Sequence, residues 1–390
     1  MQKAINKHGK PIILFQEHDR NIALWKQNKE PFYCPNCNSK LIIRSGRKVI
    51  PHFSHLPNSI CRHGNGEGMY HEMGKYLLYQ WLSDQNIEVD LEVYFPQINR
   101  RADLVINVLN KVIIIEFQCA KISAEEIAER TSAYNQLNHH VIWIVGMNHF
   151  RRLGNNQFKL NTFLQTCIHL FPQQKIPVLY FFDPISQHFA TLTHIYEYQV
   201  TKAFATITIT SIQTIEFQRI FKEMPISVKF PQDWIRQVQR IRNKPVIHSG
   251  KEMNWRRKLY EQGIIFHYLP SICFLPNKWQ IHMNTPFWMW QSEICINLIQ
   301  HLSISDTLTI SRCTKLLDEN IMNQLPNVHQ KYSAIHSFLT NLEFLGYFKK
   351  ISDSTYVKLK DIEMYAHLEE ALKGDQKIIT QLFLEKKGKM

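Results

Sequence analysis

The pattern of apolar and polar positions between residues 67 and 150 predicts an α/β fold. Residues 69–82 repeat apolar side chains at helical spacing, whereas residues 87–95 alternate apolar and polar side chains as a half-buried strand does. Two more strands, a helix and a short buried strand are predicted at 101–107, 111–119, 123–137 and 140–146. Ser123 and Glu126 form a capping box at the start of the second helix. This order of elements predicts a mixed sheet with helices packed on it.

The pattern changes on both sides of this α/β core. The N-terminal segment has short strands and turns, including an expected hairpin turned at Ser45-Gly46. After the core, a hairpin turned at Asp183-Pro184 is followed by a mostly helical, basic stretch. We therefore expect a multidomain protein with a small β module, an α/β core, an α+β middle region and a mainly helical C-terminal domain, at 1–66, 67–150, 151–284 and 285–390.

The C-terminal range has a more specific pattern. Three helices are followed by a hairpin turned at Ser352-Asp353, which is the order of a winged-helix domain; a generic small α+β cap is the alternative. The candidate recognition helix at 332–345 contains no lysine or arginine. We therefore expect this helix to dock a protein partner or the α/β core, with any DNA contact made by Lys349 and Lys350 of the wing.

Composition is that of a folded, soluble protein. The chain has 390 residues, of which 44% are hydrophobic and 20% are charged. No apolar run reaches the ~18–20 residues that span a bilayer, and the first residues lack the apolar stretch of a secretory signal. We therefore expect a cytoplasmic protein without a membrane span.

Charge is unevenly distributed along the chain. Residues 1–66 contain eleven lysines and arginines against three acidic residues, whereas residues 67–150 contain six against eleven. The net charge of +13 favours a polyanionic partner. An acidic centre with basic flanks suits a metal-dependent nuclease, which needs carboxylates for cations and basic groups for phosphates. Ordinary variation between domains is the alternative.

The apolar strand VIIIEFQC, at 112–119, ends in the polar side chains Glu116 and Gln118. These two share a face because side chains alternate along a strand. If residues 101–107 pair with this strand across a four-residue loop, Asp103 lies opposite Glu116 on that face. Adjacent carboxylates repel each other unless a divalent cation relieves them, and oxygen ligands favour Mg²⁺ or Mn²⁺. The alternative is a core strand whose end frays into solvent.

The two flanking helices add candidate residues. Glu67, His71 and Lys75 follow at intervals of four and share one helix face, from which His71 or Lys75 can assist a metal-bound water or hold a phosphate. Arg130 and Tyr134 are also one turn apart. The candidate contacts to DNA phosphates are Arg101, Arg130 and Tyr134. A solvated helix face is the alternative for each pair.

A zinc site is predicted in the N-terminal module. Cys34 and Cys37 form a C-x-x-C knuckle, and His52 and His55 follow within twenty-one residues of Cys34. Cys61 and His63 are rival ligands, and Cys61 is the alternative to His52 because His52 and His55 cannot share one face of a regular strand. Reduced thiols and surface histidines without a metal are the alternative. Structural Zn²⁺ would stabilise a module that is too small to have a large core.

The order of Asp103, Glu116-Phe117-Gln118 and a following helix resembles the PD-(D/E)xK nuclease superfamily, with glutamine in place of the usual lysine of E-x-K. Together with YCPNC, HFSH, EGMYHEMGKYLL and RADLV, the layout of residues 1–150 resembles the competence protein CoiA family. That family is described as a zinc-ribbon-like N-terminus joined to a nuclease-like domain with a restriction-endonuclease-like core. It is needed in naturally competent bacteria for recombination of incoming DNA.

The resemblance implies a role in natural transformation. It implies catalytic positions at Asp103, Glu116 and Gln118, the zinc positions given above, and DNA and the recombination machinery as partners. A metal-dependent DNA nuclease is one interpretation, favoured by the carboxylates. A non-catalytic DNA-binding recombination mediator is another, favoured by the missing lysine, and a restriction-like defence nuclease would use the same core.

Overall fold

The structure is a computed structural model that describes residues 1–46, 49–56, 68–171, 176–222, 224–245, 250–317, 325–326 and 334–387. Cys61, Glu67 and the start of the predicted recognition helix lie outside these ranges. The described chain contains a large mixed sheet with helices on both faces, a small N-terminal sheet and a mainly helical C-terminal part. The predicted α/β class is therefore confirmed.

The N-terminal part is an antiparallel sheet around a small apolar core. Its five strands are Lys3–Asn6 (β1), Pro11–Ile13 (β2), Phe32–Tyr33 (β3), Lys40–Gly46 (β4) and Val49–His55 (β5), in the order β2-β1-β3-β4-β5. Helix α1, Asp19–Gln27, connects β2 to β3. The expected hairpin is β4–β5, and it places His52 and His55 on the outer strand.

The helices and strands predicted for residues 67–150 form with ends close to those expected. Its elements are Met69–Ser83 (α2), Glu88–Phe95 (β6), Arg100–Val108 (β7), Lys111–Gln118 (β8), Ala124–Gln136 (α3) and His140–Gly146 (β9). Ser123 caps α3, because its side chain accepts the backbone N–H of Glu126 at 3.1 Å. The capping-box pattern therefore marked the start of this helix correctly.

The register between β7 and β8 is the predicted one, although the loop is shorter. Asn107 pairs with Val112, as expected from the sequence. Val108 and Lys111 form one further pair, so the expected four-residue loop is wrong. The turn has two residues, Leu109 and Asn110, with φ of 51° and 60°. Positive φ at both central residues is the geometry of a type I′ turn, which suits the twist of a hairpin.

The main sheet continues well beyond β9. Further strands are Arg152–Gly154 (β10), Gln157–Lys159 (β11), Val178–Asp183 (β12), His188–Gln199 (β13) and Lys202–Ser211 (β14), and a short helix, Thr162–Thr166 (α4), precedes β12. In the described residues the sheet has nine strands, in the order β10-β11-β14-β13-β12-β9-β8-β7-β6. The pairs β8–β9 and β9–β12 are parallel. The hairpin turned at Asp183-Pro184 therefore belongs to the same sheet as the predicted core.

Helices α2 and α3 cover opposite faces of this sheet. Leu104 and Phe117 are buried in the layer between α2 and the sheet, whereas Ile114 and Tyr134 are buried in the layer between α3 and the sheet. Helix α2 lies very close to the sheet at Gly74, where a Cβ atom would lie 1.9 Å from the Phe117 ring. A glycine at this position therefore sets the distance between α2 and the end of β8.

The C-terminal part is mainly helical. Its elements are Phe230–Arg242 (α5), Lys251–Glu261 (α6), Phe287–Asn297 (α7), Thr307–Thr309 (β15), Ile310–Leu317 (α8), Ala334–Phe344 (α9), Phe348–Lys350 (β16), Thr355–Lys358 (β17) and Leu368–Lys387 (α10). The predicted hairpin is β16–β17, and β15 pairs with its second strand. The winged-helix assignment itself stays a prediction.

A buried ion pair attaches the last helix to the rest of this part. The Arg242 guanidinium on α5 donates two hydrogen bonds to the Asp375 carboxylate on α10, at 2.6 and 2.7 Å. Both side chains are fully buried, and Arg242 also lies 4.1 Å from the centre of the Phe274 ring. Across the described ranges, no helix combines the length and apolarity that crossing a membrane requires.

Candidate functional site

Asp103 lies where the ladder between β7 and β8 ends. Backbone pairing runs as far as Leu104 opposite Ile115. Beyond that pair, the Asp103 carboxylate accepts the backbone N–H of Phe117 at 2.9 Å. A side chain of β7 thus takes the place of a backbone acceptor. This contact fixes Asp103 against the segment of β8 that carries Glu116 and Gln118.

The regular alternation of side chains changes at the level of Asp103. Ala102 and Leu104 pack in opposite layers of the core, although residues two apart on a regular strand share a face. On the neighbouring strand β6, Glu92 lies at the level of Asp103, between two residues that pair with β7. Its φ of 49° is uncommon for a residue other than glycine. Both strands are therefore irregular where the carboxylates lie.

Glu116 is buried and held by helix α3. It is 3% exposed, the Tyr134 hydroxyl donates to its Oε1 at 2.8 Å, and Arg130 Nη1 lies 3.6 Å from its Oε2. Burial raises the pKa of Glu116 to about 7, and the charge of Asp103 adds to this effect. Arg130, Tyr134 and His71 oppose the shift. The two carboxylates are therefore close enough to destabilise each other's charge.

Helix α2 brings His71 to the other carboxylate. His71 Nε2 lies 3.3 Å from Asp103 Oδ2. Its ring stacks on the Phe117 ring, with centroids 5.8 Å apart and planes within 3°. The stacking orients the imidazole, so His71 and Asp103 form one unit in which the histidine can hold or release a proton.

Lys75 faces a different set of carboxylates. It is fully buried, and its Nζ lies 2.6 Å from Glu92 Oε1 and 2.9 Å from Glu72 Oε1. The Glu92 carboxylate also accepts the backbone N–H groups of Gln2 and Lys3 on the N-terminal module. Lys75 and Glu92 thus connect helix α2 to strand β1, whereas the sequence predicted a role for Lys75 in assisting water or holding phosphate.

Glu72 and Glu92 were not predicted from the sequence. Glu92 occurs on an alternating strand where it is expected to face solvent, yet it is 2% exposed. A signal was present for Glu72, since a glutamate three positions before a lysine on a helix can pair with it. No local pattern marks Glu92, because its partners are distant in sequence.

Gln118 lies at the rim of the site. Its side-chain amide donates to the backbone carbonyl of Ala120 at 2.6 Å. The next residue, Cys119, is held through its carbonyl by Asn148 at 2.9 Å and His149 at 2.8 Å. These contacts come from the segment after β9, which is parallel to β8. The parallel pair therefore fixes the backbone that carries Gln118.

The predicted DNA contacts differ in exposure. Tyr134 is 1% exposed and its hydroxyl is bonded to Glu116, so burial corrects the expectation that it faces phosphates at the surface. Arg130 is partly exposed and pairs with Glu126 as well as with Glu116. Arg101 lies next to Ala102 on β7 and is half-buried. Of the two α3 residues, Arg130 alone retains exposed surface.

The carboxylates suit a hard divalent cation. Asp103 and Glu116 supply oxygen ligands, which Mg²⁺ and Mn²⁺ prefer. The raised pKa of Glu116 reflects a carboxylate whose burial and acidic neighbour disfavour its charge, and a bound cation would relieve both. The donor set of this chain therefore fits such a metal.

A second candidate metal centre lies in the N-terminal module. The ligand atoms of Cys34, Cys37 and His55 all lie within 4.8 Å of one another. Cys37 Sγ is 3.4 Å from His55 Nε2. Burial, with a smaller contribution from Cys37, raises the pKa of Cys34 to about 11, so the thiolate form would need a cation. Two sulfurs and one imidazole match three positions of a tetrahedral zinc site.

More than one predicted residue remains a candidate for the fourth ligand of that centre. His55 pairs with Leu41 across the β4–β5 hairpin, and His52 pairs with Arg44. Residues three apart on a strand face opposite sides, and the close group of ligand atoms contains His55 without His52. Cys61 and His63 lie outside the described residues.

A mixed α/β sheet with paired carboxylates at the end of a hairpin suits a nuclease-like domain. Three domain models of one family match successive parts of the chain. They are the competence protein CoiA N-terminal domain at residues 14–64, nuclease-like domain at 67–225 and C-terminal domain at 230–372. The chain belongs to the competence protein CoiA family, as its motifs predicted.

A curated relative agrees with this assignment. The chain is 29% identical over 275 residues to competence protein CoiA of Bacillus subtilis (strain 168), covering 68% of this chain and 71% of that protein. No solved structure gives a significant match. Family membership and the nuclease-like domain support a role in competence.

Proposed function

We propose that this protein is a metal-dependent nuclease that processes DNA in the cytoplasm during natural transformation and homologous recombination. The observation that carries this proposal is the Asp103–Glu116 pair at the end of β7 and β8. One carboxylate is fixed by a backbone N–H and the other is buried with a raised pKa. Such a pair is costly in a protein without a cation and suits one that binds Mg²⁺ or Mn²⁺.

Asp103 and Glu116 would hold the catalytic metal, which would polarise a phosphate and lower the pKa of a bound water. His71 is placed to take or hold a proton, because its Nε2 lies 3.3 Å from Asp103 and its ring is fixed by stacking on Phe117. Gln118, at the rim, can orient a water or the substrate. Arg130 and Arg101 carry the positive charge that phosphates require.

The burial of Lys75 supports a second candidate function, which is that of a non-catalytic DNA-binding mediator with the same fold. The E-x-K lysine of the nuclease superfamily is glutamine here, and a lysine on a neighbouring helix could in principle replace it. Lys75 is fully buried between Glu72 and Glu92, so this position favours a structural role for it. Catalysis would then depend on His71 and Gln118 alone to manage the proton.

Zinc and partner binding form part of the same proposal. Cys34, Cys37 and His55 would hold a structural Zn²⁺, with Cys61 or His52 as the fourth ligand. The C-terminal part would act as a winged-helix module that docks the recombination machinery or the nuclease core. Helix α9 carries Glu343 and no arginine or lysine, which supports protein docking over DNA reading.

The decisive experiment is digestion of single-stranded, double-stranded and branched DNA with Mg²⁺ or Mn²⁺. Cleavage by the wild-type protein should be lost in Asp103→Ala and in Glu116→Ala, while both variants stay folded. Glu129→Ala is the matched control, since that carboxylate on α3 is 71% exposed and should not affect cleavage. Cleavage that persists in the purified Asp103→Ala/Glu116→Ala variant would show that the site is misassigned. DNA binding without any cleavage by the wild type would favour the mediator.

A further inference from the structure

Arg130 lies between two carboxylates of very different exposure. Its Nη1 is 3.6 Å from Glu116 Oε2, and its Nη2 is 2.5 Å from Glu126 Oε1. The Glu116 side chain is 4% exposed, whereas the Glu126 side chain is 38% exposed. The guanidinium therefore touches the buried site with one nitrogen and the helix surface with the other.

The two contacts differ in strength. Charge-assisted hydrogen bonds between a guanidinium and a carboxylate usually measure about 2.7–2.9 Å. The contact to Glu126 is shorter than that range, whereas the contact to Glu116 is longer and acts mainly through charge. Glu126 is also one helical turn from Arg130, so it remains in reach when the side chain changes rotamer.

The positive charge of Arg130 partly balances the negative charge of Glu116. Its charge lowers the pKa of Glu116, against burial and the charge of Asp103, which raise it. Burial disfavours the charged guanidinium, but the carboxylates of Glu116 and Glu126 outweigh this and raise the pKa of Arg130. Arg130 thus supplies part of the positive charge that a bound cation would supply.

Arg130 is not fully satisfied in this position. Its Nε is buried and has no hydrogen-bond partner among the described residues. An unpaired buried donor has a free-energy cost that moving toward solvent removes. Once a cation balances the charge of Glu116, a shift of the guanidinium away from Glu116 and onto Glu126 would therefore cost little.

We propose that Arg130 is a counter-ion that a divalent metal displaces from Glu116, and that Glu126 receives it. This inference rests on the proposed metal site at Asp103 and Glu116. Arg130 is then a positioning residue, because it acts on the metal through Glu116. Metal binding would also turn the guanidinium toward the surface, where a DNA phosphate can reach it.

The test measures Mn²⁺ binding to the full-length protein without DNA, at pH 8, by calorimetry or by electron paramagnetic resonance. Arg130→Gln should bind Mn²⁺ about tenfold more tightly than the wild type, which corresponds to about 1.4 kcal/mol. Arg130→Lys should stay near the wild-type affinity because it keeps the charge. Arg100→Gln is the matched control, since it removes a partly exposed arginine that pairs with Glu129 instead, and it should shift the affinity less than about twofold.

A second variant separates displacement from a general effect of charge. Glu126→Gln should weaken Mn²⁺ binding severalfold in the wild type, because Arg130 then stays on Glu116. The same substitution should have almost no effect when Arg130→Gln is already present. Simple long-range electrostatics would instead give equal effects in both backgrounds.

The outcomes distinguish this inference from the proposed function. If the wild type and Glu116→Ala bind Mn²⁺ alike, the metal site is refuted and this inference with it. If the wild type binds through Glu116 but Arg130→Gln shifts affinity no more than Arg100→Gln, only the displacement is refuted. Additive effects of Arg130→Gln and Glu126→Gln would also refute it. A loss of DNA affinity without any change in Mn²⁺ affinity would leave Arg130 as a phosphate contact alone.

Discussion

Removal of the Glu92 side chain should weaken the attachment of the N-terminal module to helix α2. Glu92 is 2% exposed and accepts Lys75 Nζ at 2.6 Å and the backbone N–H groups of Gln2 and Lys3 at 3.1–3.2 Å. Glu92→Ala leaves Lys75 buried with Glu72 as its remaining acidic partner among these contacts, and leaves two backbone donors without this acceptor.

The size of the effect follows from these contacts. Breaking a buried ion pair by removing one partner costs about 3–5 kcal/mol. Glu92→Gln keeps an acceptor oxygen for the backbone donors and removes only the charge, so it should cost less than Glu92→Ala. Glu88→Ala, on the same strand but exposed, should change stability by less than about 0.5 kcal/mol.

Hydrogen–deuterium exchange of strand β1 is the suitable assay, because a multidomain protein need not unfold in one step. A local loss of about 3 kcal/mol should accelerate exchange of the backbone amides of Lys3–Asn6 by more than about a hundredfold. Exchange in the C-terminal helices should not change. Protection of β1 that stays within about threefold of the wild type in Glu92→Ala would refute the role of this ion pair in joining the two parts.

Three further predictions concern other regions. Burial raises the pKa of Glu197 to about 8, above its usual 4.5, so its contribution to stability is present below pH 4.5 and is lost as pH rises to 8. In the wild type, the free energy of unfolding should therefore decrease by up to about 1.4 kcal/mol per pH unit across this range. Glu197→Gln should remove this decrease, as measured by urea unfolding at pH 5 and pH 8. Cys34→Ser should abolish about one bound zinc per chain in elemental analysis, whereas Cys119→Ser should not; no zinc in metal-replete wild type would contradict the site. Replacing Lys349 and Lys350 by alanine should lower the salt slope of DNA binding by at most about 2, and a larger decrease would make the wing a main DNA contact.

Local patterns in the sequence determined much of the core. The period of the apolar positions and the capping box at Ser123 located α2, β6–β8 and α3 within a few residues. The register that brings Asp103 toward Glu116 follows from the hairpin alone, because pairing across a short turn depends on neighbouring residues. The Cys34–Cys37 spacing and the other motifs were sufficient for the family assignment. Each of these signals lies within a short segment.

The tertiary structure decided which polar residues face each other. Lys75 and Tyr134 share helix faces with His71 and Arg130, so spacing alone could not separate a buried side chain from an exposed one. Lys75 is buried because Glu92, on a different strand, and the start of the chain enclose it. Tyr134 is buried because α3 packs its face onto the sheet beside Glu116. Such contacts depend on how separate elements dock, and docking is determined by the whole core rather than by the local periodicity of one segment.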